Sequence, residues 1–97
     1  MIESEKTLEK RLGAEAKKIG GWSLKLPAIH VSGIPDRLLL LPGGRVVFVE
    51  LKTTKEKPRK IQLVIHRKLR KLGFRVEIID TTAQIIALIE EYEPAKT

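Results

Sequence analysis

Two apolar runs, Leu38-Leu39-Leu40-Leu41 and Val46-Val47-Phe48-Val49, flank Pro42-Gly43-Gly44. Such a pattern reads as two strands joined by a tight turn. A hairpin constrains this chain more than any other feature, because it brings the residues before the first strand beside those after the second. Pro35-Asp36 stands before it and Glu50-Leu51-Lys52 after it. The register depends on the loop. If the loop is Pro42-Gly43-Gly44, Leu41 pairs with Arg45 and Asp36 falls opposite Glu50; if it is Gly43-Gly44 alone, Asp36 faces Leu51. Directly opposed residues lie roughly 4.5–5.5 Å apart at Cβ. Two carboxylates that close repel each other unless positive charge lies between them. A divalent cation, which takes oxygen ligands, is the natural candidate. Strand alternation puts Glu50 and Lys52 on one face, giving the acids an ammonium neighbour.

The remaining elements follow from periodicity and caps. Ser4 can cap a helix over about residues 5–19, with Leu8, Leu12, Ala16 and Ile19 on one face and Gly20-Gly21 as its stop. Residues 22–31 read as a strand broken at Pro27, followed by the connecting loop Ser32-Gly33-Ile34-Pro35. The hairpin strands span about residues 36–41 and 45–52; both carry apolar residues on both faces, which predicts burial from both sides. Residues 53–57 form a polar, basic loop. Pro58 suits the first turn of a helix that runs to Leu72 and stops at Gly73. Residues 74–79 alternate as a strand. Thr81 and Gln84 make a capping-box pattern that opens a last helix through Glu91. The order α-β-β-β-α-β-α predicts an α/β fold, a mixed central sheet flanked by helices.

Bulk properties bound the function. The 97 residues, 1–97, allow a single domain. The longest apolar runs are four or five residues, against roughly 20 for a membrane span, so no membrane partner is expected. No leader is visible and cysteine is absent, which excludes disulfides and thiolate metal sites and fits a protein of the reducing cytoplasm. Net charge is +7, and it is unevenly placed. Between Lys52 and Arg75 stand ten Lys and Arg against one acid, Glu56, so this segment alone carries +9. That is the electrostatic footprint of a phosphate-binding surface; a solvated helix face is the plainer alternative.

Glu50 closes an apolar strand, where an acid pays desolvation unless it is paired or bound to a cation. A Glu50–Lys52 salt bridge alone would be unremarkable, and so would a turn aspartate after proline. The conjunction is the informative part. Two carboxylates, with a backbone carbonyl from Leu51, can hold Mg²⁺ in part of an octahedron and leave positions for water and phosphate. Lys52 could then orient a water, stabilise developing charge or act as a base.

Gly33-Ile34-Pro35-Asp36, Glu50-Leu51-Lys52 and Gln62 together resemble the virus-type replication-repair nuclease (VRR-NUC) branch of the PD-(D/E)xK nucleases, relatives of the archaeal-type Holliday junction resolvases. The resemblance spans about residues 3–80. It implies a restriction-endonuclease-like αβββαβ core, here with an extra C-terminal helix, a requirement for Mg²⁺ or Mn²⁺, and phosphodiester cleavage of structured DNA. Asp36, Glu50 and Lys52 take the family's sheet positions and Gln62 its helix position. The family's acid on the first helix falls on Glu9 or, one turn earlier, on Glu5; Glu9 is preferred. Glu3 and Glu15 read as solvated. Gln62, His66 and Arg70 form an i, i+4, i+8 row that could track a phosphate backbone. The expected DNA track adds Lys55, Lys57, Arg59, Lys60 and Arg67. With 4% aromatic residues there is little to stack bases on, so DNA shape is the better basis for recognition. The expected activity is a metal-dependent, structure-selective endonuclease acting on four-way junctions as a homodimer, with Trp22, Ile86 and Ile89 as candidate contacts. A nicking, flap-cutting or nonspecific nuclease, and a non-catalytic nucleic-acid-binding module, are the alternatives.

Overall fold

The computed structural model describes residues 2–53 and 56–94. Three helices and four strands follow in the order α1 (Glu5–Lys18), β1 (Trp22–Lys25), β2 (Arg37–Leu41), β3 (Arg45–Leu51), α2 (Lys60–Lys71), β4 (Arg75–Ile79) and α3 (Thr82–Glu90). The strands form one sheet in the order β1-β2-β3-β4. β1, β2 and β3 are antiparallel neighbours, and β4 lies parallel to β3 across the α2 crossover. The sheet is therefore mixed, as expected.

The local signals behave as their chemistry dictates. Ser4 Oγ accepts a hydrogen bond from the Thr7 N–H at 3.1 Å and opens α1. Thr81 and Gln84 close a reciprocal capping box on α3. Gly73, at φ +96°, follows the end of α2. Pro58, however, lies outside α2, whose N-cap is Arg59. The strand expected over residues 22–31 ends at Lys25. Only the Leu26 N–H continues the pairing, to the Asp36 carbonyl, before Pro27, which has no N–H to give.

The hairpin takes the three-residue loop. Leu41 pairs with Arg45 and Arg37 with Val49, which carries Asp36, one residue before β2, opposite Glu50. Odd-numbered strand residues point to one face, where Leu39, Leu41, Val47, Val49, Leu51 and Ile79 pack against Leu8, Leu12 and Ala16 of α1 and Ile85, Leu88 and Ile89 of α3. Glu3 ties the two helices together: its carboxylate accepts from the Thr82 N–H at 2.7 Å and the Thr82 hydroxyl at 2.5 Å. It is a strap rather than the solvated acid expected. Glu15 likewise pairs with Arg11 and Lys18.

The other face departs from the expectation of burial from both sides. α2 packs on β4, leaving Leu38, Leu40, Val46 and Phe48 only half-buried and Trp22 63% exposed. The turn of α2 nearest the site is positioned by the loop before β2. Gly33 has φ +86°, and a Cβ built on it would stand 2.7 Å from the Ile61 carbonyl oxygen. Backbone cannot yield as a flexible side chain can, so glycine is required here on two counts.

Gly33→Ala is therefore expected to cost at least about 2 kcal/mol, the sum of left-handed strain and a displaced α2. Gly44→Ala is the control. It shares a positive φ (+71°) but meets nothing within 4 Å, and should cost about 1 kcal/mol. Urea unfolding of both variants checks the difference.

Candidate active site

Asp36 and Glu50 meet at the end of the hairpin. Asp36 Oδ1 accepts from the Leu51 N–H at 3.3 Å, which fixes the carboxylate against the end of β3. Glu50 is 3% exposed, and its Oε1 has no hydrogen-bond partner. Lys52, on the same face, brings Nζ to 3.6 Å from Glu50 Oε2. Burial, and next the repulsion of Asp36, push the Glu50 carboxyl up to about 7, against the opposing pull of Lys52. Burial also raises Asp36, against the Leu51 N–H and the Arg37 guanidinium. Lys52 stands beside Glu50 and Arg37 beside Asp36, but Arg37 is shared with Glu9, so three carboxylates face two cations and both members of the facing pair are still raised.

α2 turns two polar side chains inward, and one of them, His66, stands beside Glu50. Gln62 is buried, and its Oε1 accepts from the Arg59 N–H at 2.8 Å, so the side chain closes the first turn of the helix. His66 is fully buried, with neither ring nitrogen hydrogen-bonded and Nε2 at 3.9 Å from Glu50 Oε1, beyond hydrogen-bond range. Burial, with Arg70 and Lys52 adding to it, pushes the imidazole below its ordinary value and keeps it neutral. The expectation that His66 touches DNA is overturned: no surface remains for a phosphate to reach. The expected phosphate-tracking row fails with it, because Gln62 and His66 point inward and Arg70 donates to the Val76 carbonyl at 2.9 Å. Lys57, Arg59, Lys60 and Arg67 are exposed, as a DNA track needs; Lys55 lies outside the described residues.

Sequence reasoning missed Arg37. It is buried, with Nη2 2.9 Å from Glu9 Oε2, and Nη1 donating to the Asp36 carbonyl at 2.9 Å and standing 3.7 Å from Asp36 Oδ1. Arg37 thereby links Glu9 on α1 to Asp36. Its signal was present: alternation places residue 37 on the core face, where an unpaired arginine is rare. Glu5 and Glu9 both line a cleft with Asp36 and Leu51, and only Glu9 has the ion pair to Arg37.

The donor set suits a hard cation. Among the described residues no three Asp, Glu or His side chains converge closely enough to hold a metal. The side-chain donors are therefore the two carboxylates, with the unpaired Glu50 Oε1 to spare and the Leu51 backbone held against Asp36 through its N–H. Mg²⁺ commonly accepts one or two carboxylates and fills its remaining positions with water and phosphate oxygen.

The raised Glu50 value makes a prediction about stability. The folded state holds this proton more tightly than the unfolded chain, so Glu50 contributes full stability below about pH 4.5. That contribution is lost as pH rises through about 7. The loss amounts to roughly 3 kcal/mol at most. Buried His66, held below its ordinary value, contributes in the opposite sense over the same range, so the readout is the difference in urea midpoint between the parent and Glu50→Gln without metal, which should shift from pH 5 to pH 8 by the equivalent of this amount. Mn²⁺ should raise the midpoint more at pH 8 than at pH 5, because a cation that binds only the folded state stabilises it and needs the ionised carboxyl.

No family model matches the chain. A curated phage protein, "Putative nuclease p44" of Acyrthosiphon pisum secondary endosymbiont phage 1, is 43% identical over 77 residues, covering 79% of this chain and 83% of the relative. A solved structure described as "VRR_NUC domain" matches with a TM-score of 0.83 at 36% identity, over 91% of this chain and 96% of that one. Identity at this level across most of both chains, with the same arrangement of strands and helices, means that this chain belongs to the VRR-NUC family of nucleases and has its restriction-endonuclease-like fold.

Proposed function

We propose that this nuclease is a divalent-cation-dependent endonuclease of branched DNA, with four-way junctions as its first substrate and a homodimer as its working form. The observation that carries the reading is the pair of facing carboxylates, Asp36 and buried Glu50, with the Lys52 ammonium at 3.6 Å. Asp36, Glu50 and the Leu51 carbonyl would hold Mg²⁺, or Mn²⁺ in its place. When bound, the cation would lower the pKa of a coordinated water and neutralise charge at the phosphorus. The chain's own groups do the rest. The Leu51 N–H and Arg37 hold the Asp36 carboxylate in place. Glu9 fixes Arg37 from α1. Lys52 stands where it can orient the attacking water or stabilise charge on the non-bridging oxygen. Fully buried His66, 3.9 Å from Glu50 Oε1, forms the wall behind that carboxylate, and Gln62 holds the first turn of α2 through the Arg59 N–H. Exposed Lys57, Arg59, Lys60 and Arg67 supply the phosphate contacts on the α2 side.

A four-way junction presents two strands for cutting at symmetry-related positions, and the described residues supply one candidate acid pair, Asp36 and Glu50. A C₂ dimer supplies the second site through a self-complementary patch. Ile89 is buried in the core and drops out of that patch, whereas Trp22, beside half-buried Leu40, remains open on the uncovered sheet face. Among the described residues no helix is long and apolar enough to cross a membrane.

Asp36→Asn and Glu50→Gln should each abolish cleavage of a labelled four-way junction in Mg²⁺ while leaving DNA affinity equal or higher, since each removes a negative charge near phosphate. Lys52→Ala should lose about 10²-fold or more in rate. Full activity in any of the three would remove that residue from the mechanism, and a parent that cuts no DNA in Mg²⁺ or Mn²⁺ would refute the proposal. Sedimentation at micromolar concentration should give the mass of a dimer. A monomer both free and on junction DNA would turn the reading towards nicking or flap cutting.

A further inference from the structure

Two hollows of about 500 and 450 Å³ lie side by side between α1 and the edge strand β1, sharing Lys6, Glu9, Lys25 and Arg37 as lining. One end opens at Asp36 and Leu51. The other runs out over Gly13, Ala14 and Ser23, whose small side chains leave the floor open. The cleft lies on the face of the sheet opposite α2, because Arg37 and the core residues beneath α1 point away from Glu50 and His66. Three exposed lysines stand over it, Lys6 and Lys10 one turn apart on α1 and Lys25 across from them on β1. Among the described residues no carboxylate comes within ion-pair range of any of the three. This sets them apart from the cations that the fold uses internally, such as Arg37 and Arg75.

We propose that this cleft is the path of one DNA strand leaving the scissile phosphate, held by its phosphates through Lys6, Lys10 and Lys25. The inference rests on the nuclease reading above and adds to it the course of the substrate. Lys6 and Lys10 are separated by about 6 Å along the helix axis, comparable with the spacing of neighbouring phosphates along one strand. α1 packs directly on β1, so the cleft is a surface groove between the two elements and not a channel through the fold. The basic surface of α2 leaves the candidate site on the opposite face of the sheet. Two strands that part at a branch point can occupy both surfaces, whereas the two strands of a continuous duplex stay together and engage only one. The cleft therefore supplies a basis for choosing branched over linear DNA without reading bases.

The test uses DNA binding in EDTA, which needs no catalysis, with fluorescently labelled four-way junction and linear duplex as probes. Gly13→Glu places a carboxylate in the cleft. Its Cβ meets nothing within 4 Å, and glutamate favours helix more than glycine, so the variant should melt no lower than the parent. The triple variant Lys6→Ala/Lys10→Ala/Lys25→Ala removes the proposed contacts. Each should lower junction affinity at least tenfold and duplex affinity by less, and the triple variant should reduce the slope of log K against log salt by about 2. Lys60→Ala/Arg67→Ala, on the α2 surface, should weaken both probes alike. Junction affinity within twofold of the parent for both cleft variants, with the α2 variant weakened, would overturn the cleft as a strand path and leave the nuclease reading standing. A parent that binds neither probe would overturn both.

Discussion

Everything at the working end of this molecule depends on two carboxylates that the hairpin forces together. The three-residue Pro42-Gly43-Gly44 loop sets a register in which Asp36 meets Glu50, and a slip of one residue would turn Glu50 to the other face of the sheet. Burial, and next the repulsion between the acids, oppose ionisation and push the Glu50 carboxyl up to about 7. The fold tolerates this cost because the hairpin lies on a predominantly apolar core. Leu39, Val47 and Val49 beneath α1 stabilise the same register that brings the acids together. The surrounding structure consists largely of restraints on this pair: Leu51 and Arg37 on Asp36, Glu9 on Arg37, Lys52 beside Glu50.

How much of this the sequence disclosed depends on how local each determinant is. The caps at Ser4 and Thr81, the glycine stop at residue 73 and the hairpin follow from neighbours a few residues apart, and the structure contains them all; of the two registers the sequence leaves open, the structure takes the one that opposes Asp36 and Glu50. The orientation of α2 does not. Its apolar residues Ile61, Leu63 and Val64 face outward and are 40–50% exposed, while Gln62 and His66 face in. Periodicity assumes that apolar side chains seek the core. Here the core-facing stripe must instead cover a carboxylate, so the usual pattern is inverted where the candidate chemistry sits. Arg37 was obscured in a similar way. A charged residue on the core face becomes intelligible only once Glu9, 28 positions away in sequence, is seen to pair with it.

The charge distribution also divides in three dimensions in a way that a count along the chain does not show. Of the ten cations between Lys52 and Arg75, Arg70 is bound to the Val76 carbonyl and Arg75 to Glu77, Glu91 and Tyr92, so they brace the α2–β4–α3 corner. The exposed cations of α2 and the unpaired lysines of the α1–β1 cleft stand on opposite faces of the sheet, with the acid pair at its end. This disposition suits a substrate whose strands diverge.

The central claim is that the Asp36–Glu50 pair is a cation site whose protonation competes with metal. Calorimetric titration of the parent with Mn²⁺ at pH 6, in two buffers of different ionisation enthalpy, counts the protons released on binding. The account predicts nearly one proton released per cation at pH 6, little release at pH 8.5, and loss of the binding in Glu50→Gln. Absence of Mn²⁺ binding, or binding without proton release that persists in Glu50→Gln, would contradict it.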